Sequence, residues 1–556
     1  MAKDFLWKKS LDLITKRQTN ILSAAFVIMA TVILSQVLGL IRQRLLVGIF
    51  GASDTLGIYF YASQLPDTLF QLTIAAALTS AFIPVFSDFL TRGKEKQANI
   101  MASTLLMLSF FAFFVLAILL AIFTPFFLGI FNLGNNFSPE QMTLMANLTR
   151  IIIFGQIFFI LGTFFTALLQ SYNHFFVPGF AAALYNLGII IGVIVFAPLF
   201  GIYSATIGVI LGGIIFVLVQ VPLTRKVGFR FTPVLSEIKS EGIKKIGTLM
   251  WPRTLAIVVF QLGTVAVGSL ISFLPDPGRM NVIFDFAKTL AFAPVALFGQ
   301  TIAQAAFPVL SREKERIADF KVTFITSFNQ MLYLVLPVSV LILILRIPLV
   351  RLVFGASKFD WPATVLTGQT LAFFSLSIFA QALITLILRA FYALHDTKIP
   401  LIINALSTAI LVIIAYLFIV VYHFGVQSLA IAFTISSIFQ LIILFILLDK
   451  RVGGFNKLQL LLPWTKFFIS SVFTAFALYI PIKLLDQLVF DTTRTINLII
   501  LAGISSLAGL SLYLFFTWFF DVKEAQNYLQ VIKKVGNWRA ILAKSQEVLE
   551  GGKINQ

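Results

Sequence analysis

Apolar runs of about twenty residues or more recur along this chain from Ile21 to Phe520. Each is long enough to cross a hydrocarbon core about 30 Å thick. Fourteen spans are read, at 22–49, 56–87, 98–129, 142–170, 175–199, 202–222, 247–274, 281–310, 322–353, 364–390, 399–422, 426–448, 465–485 and 495–519. Several exceed the length needed, so they tilt, bend or run on beyond the membrane. Composition agrees: 59% of residues are hydrophobic and only 12% charged, where soluble domains carry roughly 25% charge. The expected fold class is an all-α integral membrane protein of about fourteen transmembrane helices.

The net charge of +18 would suggest nucleic acid as a partner of a soluble protein, but the basic residues gather in the short segments between spans, and no nucleic-acid motif is found. One set of segments holds Lys3, Lys8, Lys9, Lys16 and Arg17, then Arg92, Lys94 and Lys96, then Arg225, Lys226, Arg230, Lys244 and Lys245. The set continues with Arg312, Lys314 and Arg316 and with Lys450, Arg451 and Lys457, whereas the alternate set holds only Arg279, Lys358, Lys483 and Arg494. The positive-inside rule then puts both termini in the cytoplasm, which requires an even number of spans. The charged first twenty residues lead into a long span without a small-residue cleavage site and are read as leading into a retained first helix. With no cysteine in the chain, disulfides, thiol nucleophiles and thiolate metal ligands drop out of consideration.

Short patterns repeat at one offset of 224 residues: Leu38-Gly39 with Leu262-Gly263, Pro84-Val85-Phe86-Ser87 with Pro308-Val309-Leu310-Ser311, and Gly201-Ile202-Tyr203-Ser204 with Gly425-Val426-Gln427-Ser428. A shared offset in corresponding spans predicts a duplicated six-helix unit. An even number of spans per copy makes the copies parallel, with a substrate path in the cleft between them. The expected organisation is an N-lobe over 1–224, a cytoplasmic linker over 225–246 and a C-lobe over 247–450, then two extra spans over 451–520 and an amphipathic cytoplasmic tail over 521–556.

Chemistry is sparse. His174, His395 and His423 are scattered, and the chain has neither an HExxH pair nor a GxxxxGK[ST] phosphate loop, so uphill transport would draw on an ion gradient or the membrane potential. No cofactor is expected, and no coupling ion is identified. A charge at the bilayer centre costs roughly 2.5–3.5 kcal/mol on the mildest scale, so ionisable groups within spans should face protein or water. Arg42 and Arg44 sit two residues apart and point in different directions, with Arg42 the better cavity candidate. Asp285 and Lys288 can pair on one helix face. Asp67 after Pro66 and Arg253 after Pro252 lie at proline breaks that expose backbone carbonyls. The amides Asn186, Gln261, Gln300, Gln304 and Asn404 fit interhelical hydrogen bonds, or contacts to sugar or peptide.

The stretch Arg389-Ala390-Phe391-Tyr392-Ala393-Leu394-His395-Asp396-Thr397-Lys398-Ile399-Pro400 resembles the RxFYAxxDTxxP signature of the MurJ/MviN lipid II flippases, within the multidrug/oligosaccharidyl-lipid/polysaccharide exporter superfamily. In the first half, Leu168-Leu169-Gln170, Phe175, Pro178 and Tyr185-Asn186 are similar to that family's corresponding pattern. So are Leu38-Gly39-Leu40-Ile41-Arg42, Phe50-Gly51-Ala52, Leu65-Pro66 and Ala81-Phe82-Ile83-Pro84-Val85. The resemblance implies two six-helix lobes around a cationic cavity, a groove on the last two spans for a polyprenyl tail, and alternating-access transport of the lipid-linked peptidoglycan precursor from the inner to the outer leaflet of a bacterial cytoplasmic membrane. It makes Arg42, Lys288, Asp285, Gln36 and Asn186 the candidate substrate contacts. Gly39, Pro66, Pro84, Arg389, Asp396 and Pro400 are the structural or conformational positions.

The pattern departs from the family where substrate is expected. Gln36 and Gln43 stand at positions where an arginine and an acid are usual, the second-span arginine falls at Phe70 or Gln71, and Lys288-Thr289 stands where an Asp-Arg pair is common. Export of another polyprenyl-linked saccharide or of cationic drugs is the alternative transport reading, and a non-transporting scaffold for cell-wall enzymes is a third. Expected partners are the lipid-linked precursor, membrane lipids and cell-wall synthesis proteins. With both lobes in one chain, a monomer suffices.

Overall fold

The computed structural model describes residues 21–75, 81–130, 136–488 and 495–526. Among them all regular structure is helical. In chain order the first helices are α1 (Ile21–Phe50), α2 (Asp54–Phe70), α3 (Ile83–Thr91), α4 (Glu95–Ile122), α5 (Thr124–Ile130), α6 (Pro139–Ser171), α7 (Phe176–Phe200), α8 (Tyr203–Leu218), α9 (Val221–Lys226) and α10 (Glu241–Ile271). Then follow α11 (Pro277–Pro294), α12 (Thr301–Glu313), α13 (Ile317–Ile344), α14 (Arg346–Phe354), α15 (Trp361–Ser375), α16 (Ile378–Ala393), α17 (Lys398–Tyr416), α18 (Gln427–Arg451), α19 (Lys457–Leu488) and α20 (Thr495–Phe519). Three π-helical segments continue helices, at Gln71–Ala75, Val295–Gln300 and Leu417–Val421. The first two begin at the same 224-residue offset at which the sequence patterns recur.

Eleven described helical stretches are long and apolar enough to span a membrane, and the pair α15 and α16, bent by 44° at Ser375–Ile378, makes a twelfth if taken as one span. Of the remaining expected spans, 56–87 runs through α2, the first π segment and α3, with 76–80 outside the described residues. The span at 247–274 lies on α10, whose apolar part is Ile257–Ile271. Large side chains such as Phe111, Phe126, Leu199 and Phe260 are exposed, as expected where hydrocarbon rather than water is the neighbour. The amino-terminal cations up to Arg17 and the tail beyond 526 lie outside the described residues.

Helix starts follow local chemistry. Ser53 accepts a hydrogen bond from the Leu56 N–H at 3.4 Å to open α2. A reciprocal capping box of Ser138 and Gln141, with Pro139 in the first turn, opens α6. Ser240 Oγ accepts from the Ile243 N–H at 3.5 Å to open α10.

By contacts the chain forms two compact units. One gathers residues to Ala287 with Val353–Thr370 and Asn404–Ser436, and the other gathers Lys288–Leu352, Leu371–Ile403 and the chain from Ser437. In the first unit α7 lies along α8 and against α1, while α6 packs on α8 and α2. The α7–α8 seam is backbone on backbone: a Cβ on Gly188 would strike Gly212, and one on Gly192 would strike Gly208. Small residues four apart on each helix permit that approach, and close van der Waals contact replaces the hydrophobic effect that is missing in lipid. In the second unit α19 and α20 pack together and on α13. There the Tyr513 hydroxyl donates to Tyr333 O at 2.8 Å and the Phe328 and Trp464 rings stack at 5.0 Å.

Candidate functional site

One stripe of α1 turns into the first unit. Thr31, Ser35, Gly39, Arg42 and Leu46 recur at three- and four-residue spacing and are buried or half-buried, while Ile33, Val37, Ile41 and Arg44 are exposed. Along this stripe lies α7. Gly179 makes room for Thr31, and Asn186 Nδ2 donates to Ser35 O at 3.2 Å and to Ser35 Oγ at 3.3 Å. A Cβ on Gly39 would sit 3.9 Å from Asn186 Oδ1, an ordinary contact, so Gly39 is not sterically required there.

Less than one turn beyond Gly39 the half-buried Arg42 guanidinium exerts its charge on Tyr59 and Asp67 of α2 and on Tyr185 of α7. From α6, Gln156 Nε2 donates to Asp67 Oδ1 at 2.7 Å. Aromatic rings back the group: Tyr185 meets Phe159 edge-on at 4.4 Å, and Phe159 in turn meets Phe70 at 5.9 Å. Asp67 is closely surrounded by protein, yet its own surface is exposed. That combination belongs to a side chain lining a cleft, since a core residue would have lost its surface and a lipid-facing one its surroundings.

Among the described residues Arg42 makes no hydrogen bond or ion pair, and the Tyr59 and Tyr185 hydroxyls make no hydrogen bond. The cleft therefore presents a guanidinium fork with all its donors available, two phenol hydroxyls and one uncommitted carboxylate oxygen. Such a fork grips phosphate or carboxylate through paired charge-assisted bonds. Asp67 adds an acceptor for a cationic or hydroxylated group. Among the described residues no group of three His, Cys, Asp or Glu side chains could hold a metal ion.

The other sequence candidates fall in different places. Gln36, six residues before Arg42, is about 120° round the helix from it and is exposed. Asn186 joins the stripe, but its amide is used to hold α1 against α7. Phe70, one of the two positions at which the family's second-span arginine can fall, is part of the aromatic backing. Asp285 and Lys288 are half-buried on α11, and Lys288 forms no ion pair among the described residues. The Arg253 side chain lies outside the described residues. Pro66 is buried within α2, five residues before its π-helical continuation, and Pro84 opens α3.

In the second unit Asp396 Oδ1 accepts from the Lys398 and Ile399 N–H groups at 3.1 and 3.2 Å, and the buried Pro400 sits in the first turn of α17. These are a helix start's requirements. The Arg389 guanidinium carbon lies 5.6 Å from the Phe307 ring centroid, a cation–π contact.

At one end of the first unit Arg279 holds both Asp360 oxygens at 2.8 Å, and its backbone N–H donates to Asp54 Oδ1 at 3.1 Å. Lys358 Nζ donates to Ile49 O at 2.7 Å. Burial raises the Asp360 carboxyl, but the Arg279 hydrogen bond, the Ala363 N–H and the Arg279 charge together bring it below the usual aspartate range.

Compared with known families, residues 46–499 match the model of the lipid II flippase MurJ. The chain belongs to the MurJ family. The MurJ relatives include the lipid II flippase of Burkholderia cenocepacia, 25% identical over 476 residues that cover 83% of this chain and 89% of that protein. A probable lipid II flippase of Buchnera aphidicola subsp. Schizaphis graminum is 26% identical over 398 residues, covering 70% of this chain and 76% of its own. Among solved structures, a lipid II flippase MurJ in an inward closed conformation superposes with a TM-score of 0.72 at 22% identity, covering 88% of this chain and 98% of that one. An inward-facing multidrug resistance MATE transporter gives a TM-score of 0.65 at 14% identity, covering 77% and 98%. At these identities the structural likeness is one of fold. The protein is thus a multi-pass all-α membrane protein of a transporter family.

In this cleft Tyr59 and Gln156 are residues that the sequence analysis does not single out. Gln156 was detectable as the lone amide beside Gly155 in the apolar run Ile151–Leu161. Tyr59 carried no comparable signal.

Proposed function

We propose that this chain is a lipid II flippase. It carries the polyprenyl-linked peptidoglycan precursor from the inner to the outer leaflet by alternating access, driven by membrane potential or an ion gradient. The observation that carries the reading is the Arg42 guanidinium, half-buried in the first unit without a hydrogen-bond or ion-pair partner among the described residues. Keeping an arginine in that state inside a membrane is costly and is offset when a phosphate oxygen takes up its donors. The diphosphate and hydrophilic head need such a polar route, while the lipid tail need never leave hydrocarbon.

The test is the outward accessibility of lipid II in cells depleted of their own flippase and supplied with this chain, intact or as Arg42→Ala. Restoration of externally cleavable lipid II by the intact chain alone, at equal abundance, supports the reading. Failure of the intact, correctly inserted chain despite its native partner proteins, co-expressed, refutes it.

Asp67, Tyr59 and Tyr185 favour a second reading, export of lipophilic cations, because an acid framed by aromatic rings suits a cation rather than a diphosphate. Under that reading Asp67→Asn abolishes efflux of an ethidium-type dye and leaves lipid II exposure unchanged.

A further inference from the structure

The second unit contains a pocket built from its own residues. It encloses about 360 Å³ and is lined by Gln300, Gln304, Thr385, Leu388, Arg389 and Tyr392, among others. Gln300 closes the second π-helical segment, Gln304 lies one turn on in α12, and Thr385 and Arg389 lie one turn apart on α16. The Arg389 guanidinium is half-buried, and its central carbon lies 5.6 Å from the Phe307 ring centroid, a cation–π contact that uses none of its N–H donors. Arg389 makes no hydrogen bond or ion pair among the described residues, and the Gln300 and Gln304 amides make no hydrogen bond. The Thr385 hydroxyl is already donated to Ala382 O at 2.6 Å. No carboxylate lines the pocket. A fixed cation with two spare amides and no acid selects an anion with several acceptor oxygens.

Position narrows the anion further. Arg389 is about one helical turn, 5.4 Å of rise, from the end of α16 at Ala393. Just past that end Lys314 Nζ lies 3.1 Å from His395 Nε2, and Lys321 Nζ donates to Gly453 O at 3.2 Å. Those contacts draw the basic connecting segments of this unit to one rim. Such a rim concentrates anionic lipid at the leaflet it faces, and by charge that leaflet is the cytoplasmic one.

We propose that this pocket binds the phosphate ester of an anionic lipid headgroup in the inner leaflet, with Arg389 as the gripping cation and Gln300 and Gln304 as supporting donors. The inference does not depend on the flippase reading.

The chain has no cysteine, so Leu388→Cys, at a lining position that offers the headgroup no donor, gives a single reporter in the full-length protein. Its rate of labelling by a neutral maleimide is measured in phosphatidylcholine nanodiscs, in the same discs containing phosphatidylglycerol, and in phosphatidylcholine with inorganic phosphate. Phosphatidylglycerol is expected to slow labelling about tenfold, and adding Arg389→Gln to remove most of that protection. Inorganic phosphate is expected to have no effect; protection by it equal to that by phosphatidylglycerol would overturn the lipid assignment in favour of free phosphate. Equal labelling in both lipids, or protection that survives Arg389→Gln with unchanged thermal melting, overturns the site. If Arg389→Gln does not fold, Gln300→Leu, which leaves the Arg389–Phe307 contact intact, is expected to cost about threefold in protection; undiminished protection there overturns the proposal as well.

Discussion

Asn186 and Arg42 are both polar groups in apolar helices, a few residues apart along one seam, and their surroundings give them different roles. The Asn186 amide is spent on Ser35, and interhelical hydrogen bonds in membranes contribute about 0.6 kcal/mol each on average, up to about 1.7. Asn186→Leu should therefore lower the melting temperature modestly and leave flipping within about twofold of the parent, as read by lipid II exposure. Arg42→Lys keeps the charge but loses the planar fork, so exposure should fall to an intermediate level between parent and Arg42→Ala. At the Arg279–Asp360 pair the sign follows from the lowered carboxyl. The pair contributes stability that is fully present above the unfolded aspartate value of about 3.9 and is lost as pH falls through the lower folded value. The melting-temperature gap between parent and Asp360→Asn should stay constant from about pH 8 to about pH 5 and close only below about pH 4. The sequence exposed Arg42 because a charge in an apolar run is conspicuous. It could not expose Tyr59, since a tyrosine in an aromatic-rich span looks the same whether it lines a cleft or packs in the core.

At the scale of the element, the seam between α7 and α8 depends on having no side chain at all at Gly188, Gly192, Gly208 and Gly212. Gly192→Leu forces the helices apart, and overpacking of this kind costs about 1–3 kcal/mol or more, so the folded fraction recovered in detergent should drop sharply. Gly503→Ala in α20, where a Cβ meets nothing within 4 Å, should be tolerated, and a fluorescence size-exclusion profile distinguishes the two. The Asp396 and Pro400 pattern has a direct physical meaning as the cap and first turn of α17, and the same logic holds for Pro178 at the start of α7. Facing was less legible. Gln36, at a position where the family pattern has an arginine, lies about 120° round the helix from Arg42 and is exposed.

For the whole molecule, hydropathy and length determined most of what could be known, because a membrane allows so few backbone arrangements. The expected span at 56–87 is divided in the structure, where Pro66 sits inside α2 and a π-helical segment follows at Gln71–Ala75, while 247–274 lies on the continuous α10. The cysteine-free background also makes orientation directly measurable. Lys314→Cys should react with an impermeant thiol reagent only in inverted vesicles and Lys358→Cys only in intact cells, and the opposite pattern would reverse the assigned topology. The π-helical segments at Gln71–Ala75 and Val295–Gln300 have a mechanical consequence. A helix holding one residue too many in a turn is like a screw with a skipped thread: if the skip migrates by a residue, the length it passes over swivels by about 100° while the rest of the rod stays seated. A chain with such a skip in each unit can redirect individual side chains without swinging whole helices.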